Sequence, residues 1–351
     1  MSSPATDAAP PAPAAPAPRR RSPLAYFVRF QSLLGLVVVI LGGLAFSPRR
    51  HGHILFLSPD NIGNIIRSIS ETGILALGMT FVIIAAGIDL SVGAMLGLAS
   101  VFTASLMVNA GWSVLPTLVV VLLAGTAFGT VQGAISTRFR LQPFIVTLAG
   151  LQVARGLALI ASHNNFINVS YGHGPGFAPP AFGVLGLRIF HNIFPVASLI
   201  FLGLAVIATF VLNATRFGRY IYAVGGNERA ARLSGIPVNR VKIAVYAITG
   251  LASAIAGIVH AGQFSFGSPN DGAGYELVAI AAVVIGGTDL FGGAGSMIGT
   301  IAGSIMLGAL ANILQLNDVS AAMQLLATGA IIVAAAALQT FVGRRDAEAL
   351  R

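Results

Sequence analysis

Two aspartates lie in stretches of the chain that are otherwise apolar and rich in glycine. Asp89 lies in AGIDLSVGA (86–94) and Asp289 in GGTDLFGGA (286–294), and the two stretches match at an offset of 200 residues. A carboxylate in such a setting costs free energy unless it has a defined partner or task. Three roles are open for the pair: capping a helix N-terminus, gating, and direct contact with a solute.

The composition of the chain defines the solvent around these aspartates. Apolar residues make up 56% of the 351 residues and charged residues 9%, and the mean hydropathy is +0.85. Soluble domains carry charge on roughly 25% of their residues. The chain is therefore a polytopic membrane protein, and we predict an all-α transmembrane bundle. It contains no cysteine, which excludes disulfides, thiolate metal sites and a cysteine nucleophile.

Apolar runs predict about ten membrane spans in two related halves. Two of these runs, 72–87 and 276–288, are shorter than the roughly 20 residues that cross the hydrocarbon layer, and each ends near one aspartate. Short or broken spans at corresponding positions of two halves indicate a transport pathway. The full set of predicted spans is 29–46, 72–87, 90–108, 113–133, 143–162, 194–213, 242–262, 276–288, 295–315 and 320–342.

The charges predict the domain organisation and the orientation. We expect a disordered Pro/Ala-rich tail over 1–28, a transmembrane domain over 29–343, and a short tail over 344–351. With the N-terminus in the cytoplasm, fifteen of the twenty Lys and Arg residues fall on the cytoplasmic side. This agrees with the positive-inside rule, so both termini are predicted to be cytoplasmic. Membrane lipid is then a predicted partner.

Residues 214–241 are the most charged segment, and we predict that they form a cytoplasmic loop. Asn227 is a typical helix N-cap, Glu228 suits the first turn, and Gly235 suits the end of a short helix. Such a helix is either held against anionic head groups or docked in a groove on a partner. The residues assigned to ATPase coupling through this helix are Asn227, Glu228, Ala230, Ala231, Leu233, Ser234, Gly235 and Ile236.

Several other functions lack the residues that they need. The chain has one lysine, Lys242, and no G-x-x-x-x-G-K-[ST] motif, so it cannot form its own ATP-binding P-loop. His51 and His53 have no acidic or cysteine residues nearby, and we predict neither a metal nor a cofactor. An aspartyl protease would need Tyr-Asp and G-x-G-D, and neither aspartate has that context. We predict no catalytic residues and no nucleic-acid partner.

Four ordered stretches resemble one family of transport proteins. They are GMTFVIIAAGIDLSVG (78–93), FIVTLAGLQVARG (144–156), GRYIYAVGGNERAARLSGIPVNRVKIAVYAITGLASAIAGI (218–258) and GYELVAIAAVVIGGTDLFGGAGSMIGT (274–300). They are similar to permeases of ribose, xylose and arabinose ABC importers. The resemblance covers roughly 50–340 and implies a homodimeric channel in the bacterial inner membrane. It also implies a separate ATP-binding subunit below and a periplasmic or lipid-anchored sugar-binding protein above.

Polar residues in the predicted spans are candidates for the path of a sugar. For any single one of Gln132, Gln142, Gln263 and Asn312, a hydrogen bond between helices is the favoured role, and a place along the path is the alternative. The alternative function is an ion-gradient-driven secondary transporter, which also uses two repeats and broken helices. Few carboxylates in the predicted spans argue against that alternative. The residues selected for translocation or gating are Asp89, Ser91, Gln152, Arg155, Glu276 and Asp289.

Overall fold

The computed structural model describes residues 23–50, 52–190 and 193–348. Within these ranges the chain is predominantly helical, with few strands, which confirms the all-α polytopic class. Three short antiparallel ladders connect loops: β1 (Arg49–Arg50) with β2 (His53–Ile54), β3 (Ile167–Asn168) with β6 (Phe266–Gly267), and β4 (Arg188–Ile189) with β5 (Phe194–Pro195). Most of the predicted N-terminal tail, His51 and the last three residues lie outside the described part of the chain.

Twelve α-helices are present in the described ranges. The third is extended by a π-helical turn over Ser105–Asn109, and 3₁₀ turns lie at Leu55–Leu57 and Pro180–Gly186. The helices are α1 (Pro23–Phe46), α2 (Pro59–Ile84), α3 (Val92–Ala104), α4 (Val114–Phe139), α5 (Pro143–Ala161), α6 (Val196–Ala214), α7 (Arg216–Gly226), α8 (Glu228–Leu233), α9 (Val238–Phe264), α10 (Tyr275–Ile285), α11 (Met297–Leu316) and α12 (Ala321–Glu348). The first of them begins inside the range predicted to be a disordered tail.

Seven helical segments in the described ranges are long and apolar enough to cross a membrane: α2, α3 with its π turn, α4, α5, α6, α9 and α11. The other three predicted spans coincide with shorter apolar helices, at Leu34–Phe46, Tyr275–Ile285 and Ala321–Ile331. Every predicted apolar run therefore carries a helix, but the number of ten spans is not confirmed.

The helices form an inner and an outer layer. In α2, α3, α9 and α11 at least 56% of the most apolar window is buried, whereas in α4, α5 and α6 the share is 28% or less. The outer layer exposes large apolar side chains such as Leu115, Leu123 and Phe210. This is the pattern expected when lipid rather than water surrounds a bundle. The inner layer carries the polar groups described below.

Glycines allow α4 and α9 to cross in backbone contact. A Cβ atom added at Gly125 would lie 2.6 Å from both the Gly250 carbonyl oxygen and the Ala254 Cβ. A Cβ atom added at Gly129 or Gly133, each one turn further along α4, would likewise lie within 3.0 Å of the backbone of Tyr246 or Ile243. Helices in membranes associate through such small-residue faces because lipid offers no hydrophobic driving force.

The two predicted short spans differ in the structure. The prediction for 72–87 is wrong, because α2 begins at Pro59, where Ser58 accepts a hydrogen bond from the Asn61 amide. Its first three turns carry the polar residues Asp60, Asn61 and Asn64, of which only Asn61 is buried. These residues lower the hydropathy of the stretch, so hydropathy alone does not reveal it as membrane helix. The prediction for 276–288 is confirmed, since α10 has only 11 residues and ends at Gly286 and Gly287.

Candidate translocation and coupling sites

Asp89 anchors the turn between α2 and α3. Its side chain is buried, and Oδ1 accepts hydrogen bonds from the Ser91 amide (2.9 Å) and the Ser91 hydroxyl (2.6 Å). The Ser91 hydroxyl in turn accepts a hydrogen bond from Gln132 Nε2 on α4 (2.9 Å). The N-cap of α3 is Ser91, so Asp89 holds the turn ahead of the helix. The N-cap interpretation of Asp89 is therefore wrong.

Asp289 forms the same local turn in the second half. Its Oδ1 accepts a hydrogen bond from the Phe291 amide two residues on (2.9 Å), as Asp89 does from Ser91. The side chain is exposed, however, and α11 begins only at Met297 with Ser296 as its N-cap. Asp289 does not cap a helix either. The two halves thus share the turn geometry but differ in the burial of the carboxylate.

Both broken turns contact the charged segment after α6. The Gly293 amide donates to the Ile84 carbonyl (2.9 Å), which joins the end of α2 to the second turn. The Tyr222 hydroxyl of α7 donates to the Gly295 carbonyl (2.8 Å). Gly225 packs so closely on the Ile84 carbonyl that a side chain there would collide with it. Helix α7 therefore contacts both turns, the one that follows α2 and the one that follows α10.

The short helix predicted in this segment is present. In α8 the Asn227 side chain accepts from the Ala230 amide (2.9 Å), and Gly235 follows the helix with a φ of +80°. Glu228 accepts from Lys242 (2.6 Å) and Arg232 (3.1 Å). The hydrogen bond from Lys242 holds the pKa of the Glu228 carboxyl below its usual value. Local capping chemistry explains why the sequence predicts this helix.

The apolar residues of α8 point in different directions. Ala231 is 4% exposed and packs in the core with Ile221 and Val238, whereas Leu233 is 90% exposed. Ala230 and Ser234 are exposed as well, and Ile236 is half-buried. The outer face of α8 is therefore formed by Ala230 and Leu233, without Ala231.

A second polar cluster lies further along α9 and was not predicted from the sequence. His260 Nδ1 lies 2.9 Å from Glu71 Oε2 on α2, and His260 Nε2 lies 3.3 Å from Asp271 Oδ1. The second contact is too poorly aligned to count as a hydrogen bond, although the two groups remain an electrostatic pair. All three side chains are buried. Tyr246, which donates to the Ile88 carbonyl beside Asp89, precedes His260 by fourteen residues, about 21 Å along the helix.

Asp271 ties the loop after α9 to the neighbouring helices. Its Oδ2 accepts from the Ser100 hydroxyl of α3 (2.6 Å) and from the Ser268 amide (2.7 Å). Arg155 of α5 donates to the carbonyls of Pro269 and Asp271. Among the residues selected from the sequence, Arg155 thus lies in this cluster, and Glu276 on α10 is near enough to attract its guanidinium.

Four buried polar atoms of the second cluster have no hydrogen-bond partner among the described residues. They are Glu71 Oε1, His260 Nε2 and both side-chain polar atoms of Gln263, whose backbone carbonyl accepts from Arg67. Buried polar groups are almost always hydrogen-bonded, so these atoms are suited to a water or a solute hydroxyl. Arg67 and Glu71 are four residues apart on α2, and His260 and Gln263 are three apart on α9. This helical spacing of polar residues is the signal by which the sequence could have revealed the cluster.

The remaining sequence-selected residues lie elsewhere. Gln152 is exposed on α5, and Gln142 is exposed just before it. Asn312 of α11 exchanges two side-chain hydrogen bonds with Asn61 of α2 (2.9 and 2.8 Å), which is a contact between helices. Gln132 joins the Asp89 turn. The structure therefore brings together Asp89 with Ser91, and Arg155 with Glu276, but separates Gln152 and Asp289 from both pairs.

These features define a multi-pass helical permease with polar groups in its core and a capped helix at one end. Residues 61–336 match the family described as "Branched-chain amino acid transport system / permease component", and the chain belongs to this family. No solved structure matches the chain.

Individual relatives are similar over almost the whole chain. The ribose import permease protein of Haemophilus influenzae is 38% identical over 91% of this chain and 95% of its own length. That of Bacillus subtilis is 40% identical over 87% of this chain and 90% of its own length. The xylose transport system permease protein of Escherichia coli is 35% identical over 83% of this chain and 87% of its own length.

Proposed function

We propose that this protein is the membrane-spanning permease subunit of an ATP-driven importer for a simple sugar. The observation that carries the proposal is the end-to-end similarity to ribose import permeases at 38–40% identity. The chain itself has no P-loop and a single lysine, so the energy must come from a separate ATP-binding subunit. A permease of this kind is a transport component and not an enzyme. It works with a sugar-binding protein on the opposite face of the membrane.

Helix α8 is the proposed contact with the ATP-binding subunit. Leu233 is 90% exposed at the outer face of α8, where an isolated permease gains nothing from a large apolar side chain. The adjoining helix α7 contacts both broken turns, through Tyr222 on Gly295 and through Gly225 on Ile84. A force applied to α8 therefore reaches the Asp89 and Asp289 turns without passing through a flexible linker. Asn227, Glu228 and Gly235 fix the ends of the helix.

The two buried polar clusters are the proposed groups along the sugar path. A sugar presents hydroxyl groups, which pair with unsatisfied amide and carboxylate atoms such as those of Gln263 and Glu71. Arg155 and Glu276 lie beside this cluster, and Asp89 with Ser91 lies about 21 Å nearer the α8 end. Few strong contacts are expected, because a permease must release its solute as readily as it admits it.

We further propose a homodimer with both termini in the cytoplasm. The end of the bundle that carries α7 and α8 also carries Arg138, Arg140 and Arg240, which supports a cytoplasmic assignment by the positive-inside rule. The inner-membrane location and the two-copy assembly follow the pattern of the family that the sequence resembles.

Substitution at α8 tests the coupling proposal. We expect Leu233→Asp to insert and purify normally, because the side chain is exposed, but to lose sugar uptake and co-purification with the ATP-binding subunit. Leu233→Met, which keeps an apolar side chain of similar volume, is the matched control and should retain both. Normal uptake by Leu233→Asp would contradict the role of this surface.

The alternative function, an ion-gradient-driven secondary transporter, is tested with the purified protein alone. The buried carboxylates of Glu71 and Asp271 lie outside the predicted spans and pair with His260, so a small number of carboxylates in those spans no longer argues against this alternative. Purified permease in proteoliposomes, without an ATP-binding subunit, should not take up sugar when a proton or sodium gradient is imposed. Gradient-driven uptake by the chain alone would replace the importer with a secondary transporter.

A further inference from the structure

A polar pocket of about 420 Å³ opens between the end of α4 and the helix α8. Three positively charged side chains, those of Arg140, Arg232 and Lys242, line it together with the Glu228 carboxylate. The charged and polar side chains around it are Ser136, Thr137, Arg140, Glu228, Arg232, Asn239 and Lys242. The pocket lies on the α8 face opposite to Ala230 and Leu233, since Glu228 and Arg232 are one helical turn apart.

Hydrogen-bond donors exceed acceptors in this pocket. The two Glu228 oxygens already accept from Lys242 (2.6 Å) and Arg232 (3.1 Å), and Asn239 Oδ1 accepts from Arg232 (3.3 Å). The Ser136 and Thr137 hydroxyls donate to backbone carbonyls. Arg140 has no hydrogen bond or ion pair to any described residue. Its five N–H groups, with those left on Arg232 and Lys242, suit a ligand that is anionic and rich in acceptor oxygens.

Exposed apolar side chains lie next to the pocket at the turn from α4 to α5. Leu141 (44% exposed) lines the pocket, and Phe139 (66%) and Phe144 (47%) precede and follow Arg140 in the same turn without lining it. Arg140 itself has a left-handed φ of +54°, which ends α4 and turns the chain toward α5. A ligand with an anionic head group and apolar tails can therefore pair its head group with Arg140 and pack its tails against these apolar side chains. Basic pockets between helices at the cytoplasmic membrane surface bind lipid head groups in this way.

We propose that this pocket binds the phosphate group of an anionic phospholipid, with the acyl chains along the exposed side chains of α4 and α5. The lipid would join the α4–α5 turn to α8 and so help to hold the coupling surface in place. The binding site itself does not rest on the proposed sugar function, because its residues and chemistry are independent of the solute.

The test compares two arginines two residues apart. Arg140→Asn removes the charge and keeps a residue that tolerates the left-handed backbone. Arg138→Asn is the matched control, since Arg138 is exposed on the same helix end but does not line the pocket. The full-length protein is placed in nanodiscs of phosphatidylcholine alone or mixed with phosphatidylglycerol, and bound lipid is counted by native mass spectrometry. We expect Arg140→Asn to weaken phosphatidylglycerol retention about fivefold and Arg138→Asn to leave it unchanged. Arg140→Lys should retain most of it.

Three results would overturn the proposal. Equal losses in Arg138→Asn and Arg140→Asn would mean general surface charge rather than a pocket. Full displacement of the lipid by inorganic phosphate or glycerol phosphate would mean a site for a free anion. Unchanged lipid retention in Arg140→Asn, together with loss of the ATP-binding subunit, would mean that a protein segment occupies the pocket. If Arg140→Asn does not elute as a folded protein, Arg232→Gln removes a charge from the α8 side of the same pocket and is compared with Arg138→Asn in the same way.

Discussion

The glycine contact between α4 and α9 makes a quantitative prediction. A methyl group at position 125 would lie 2.6 Å from the Gly250 oxygen and the Ala254 Cβ, so the helices must separate by about 0.8 Å to reach ordinary contact at 3.4 Å. Neither obstacle is the end of a flexible side chain. Overpacking of this kind costs about 1–3 kcal/mol, whereas alanine gains about 1 kcal/mol over glycine in a helix interior. We expect the net effect of Gly125→Ala to be a loss of about 0–2 kcal/mol, which is about 1–3 kcal/mol worse than an alanine that makes the same propensity gain without a clash.

Gly203→Ala on α6 is the matched control for this prediction. Gly203 is also in a helix interior, but a Cβ there has nothing within 4 Å. It should therefore keep the propensity gain and be slightly stabilised. The assay is the thermal unfolding midpoint of each purified variant in one detergent, followed by sugar uptake in proteoliposomes. If Gly125→Ala is as stable as Gly203→Ala, the close crossing of α4 and α9 is refuted.

Two further predictions concern the aspartate turns and the orientation. Asp89→Asn should be mild, because an amide oxygen can accept the same hydrogen bonds from Ser91, while Asp89→Leu leaves them unmade in a buried site and should cost about 1–3 kcal/mol by thermal unfolding. The exposed Asp289→Leu is its control and should cost less; a folded Asp89→Asn protein that transports nothing would instead indicate a role for charge in gating. Single cysteines at Ser22 and Arg345 should be protected from impermeant thiol reagents in intact cells, and one at Asn168 should be labelled. Labelling at Ser22 would reverse the proposed orientation.

Local chemistry determines which parts of the fold could be predicted. The prediction of α8 is confirmed because the residues that define its ends, Asn227, Glu228 and Gly235, act on backbone groups within one or two helical turns of their own positions. The preceding helix α7 was not predicted. Its glycines and charges disfavour a helix in isolation, and packing of Ile221 and Val224 against the bundle stabilises it. The beginning of α2 was missed because its polar residues lower the hydropathy of a true membrane segment.

The second polar cluster depends on long-range contacts, and the sequence shows only the helical spacing of its members on α2 and on α9. Asp271 lies in a loop, and only the fold brings it beside Ser100, which precedes it by 171 residues. By contrast, the glycines at 125, 129 and 133 follow a four-residue spacing that is a known signature of close helix crossing, and this signal was available in the sequence. A sequence therefore shows which helix faces are small or polar more readily than which of those faces meet in a buried cluster.

Helix α9 connects the proposed coupling surface with both polar clusters. At its N-terminal end Lys242 pairs with Glu228 of α8, and Tyr246 reaches the Ile88 carbonyl in the Asp89 turn. At its C-terminal end His260 pairs with Glu71. Between these contacts α9 crosses α4 in backbone contact, with Gly125 of α4 packed on Gly250. A displacement of α9 at its α8 end therefore moves the α4 backbone with it, and because residues of α9 belong to or contact both clusters, the two clusters are mechanically connected through this helix.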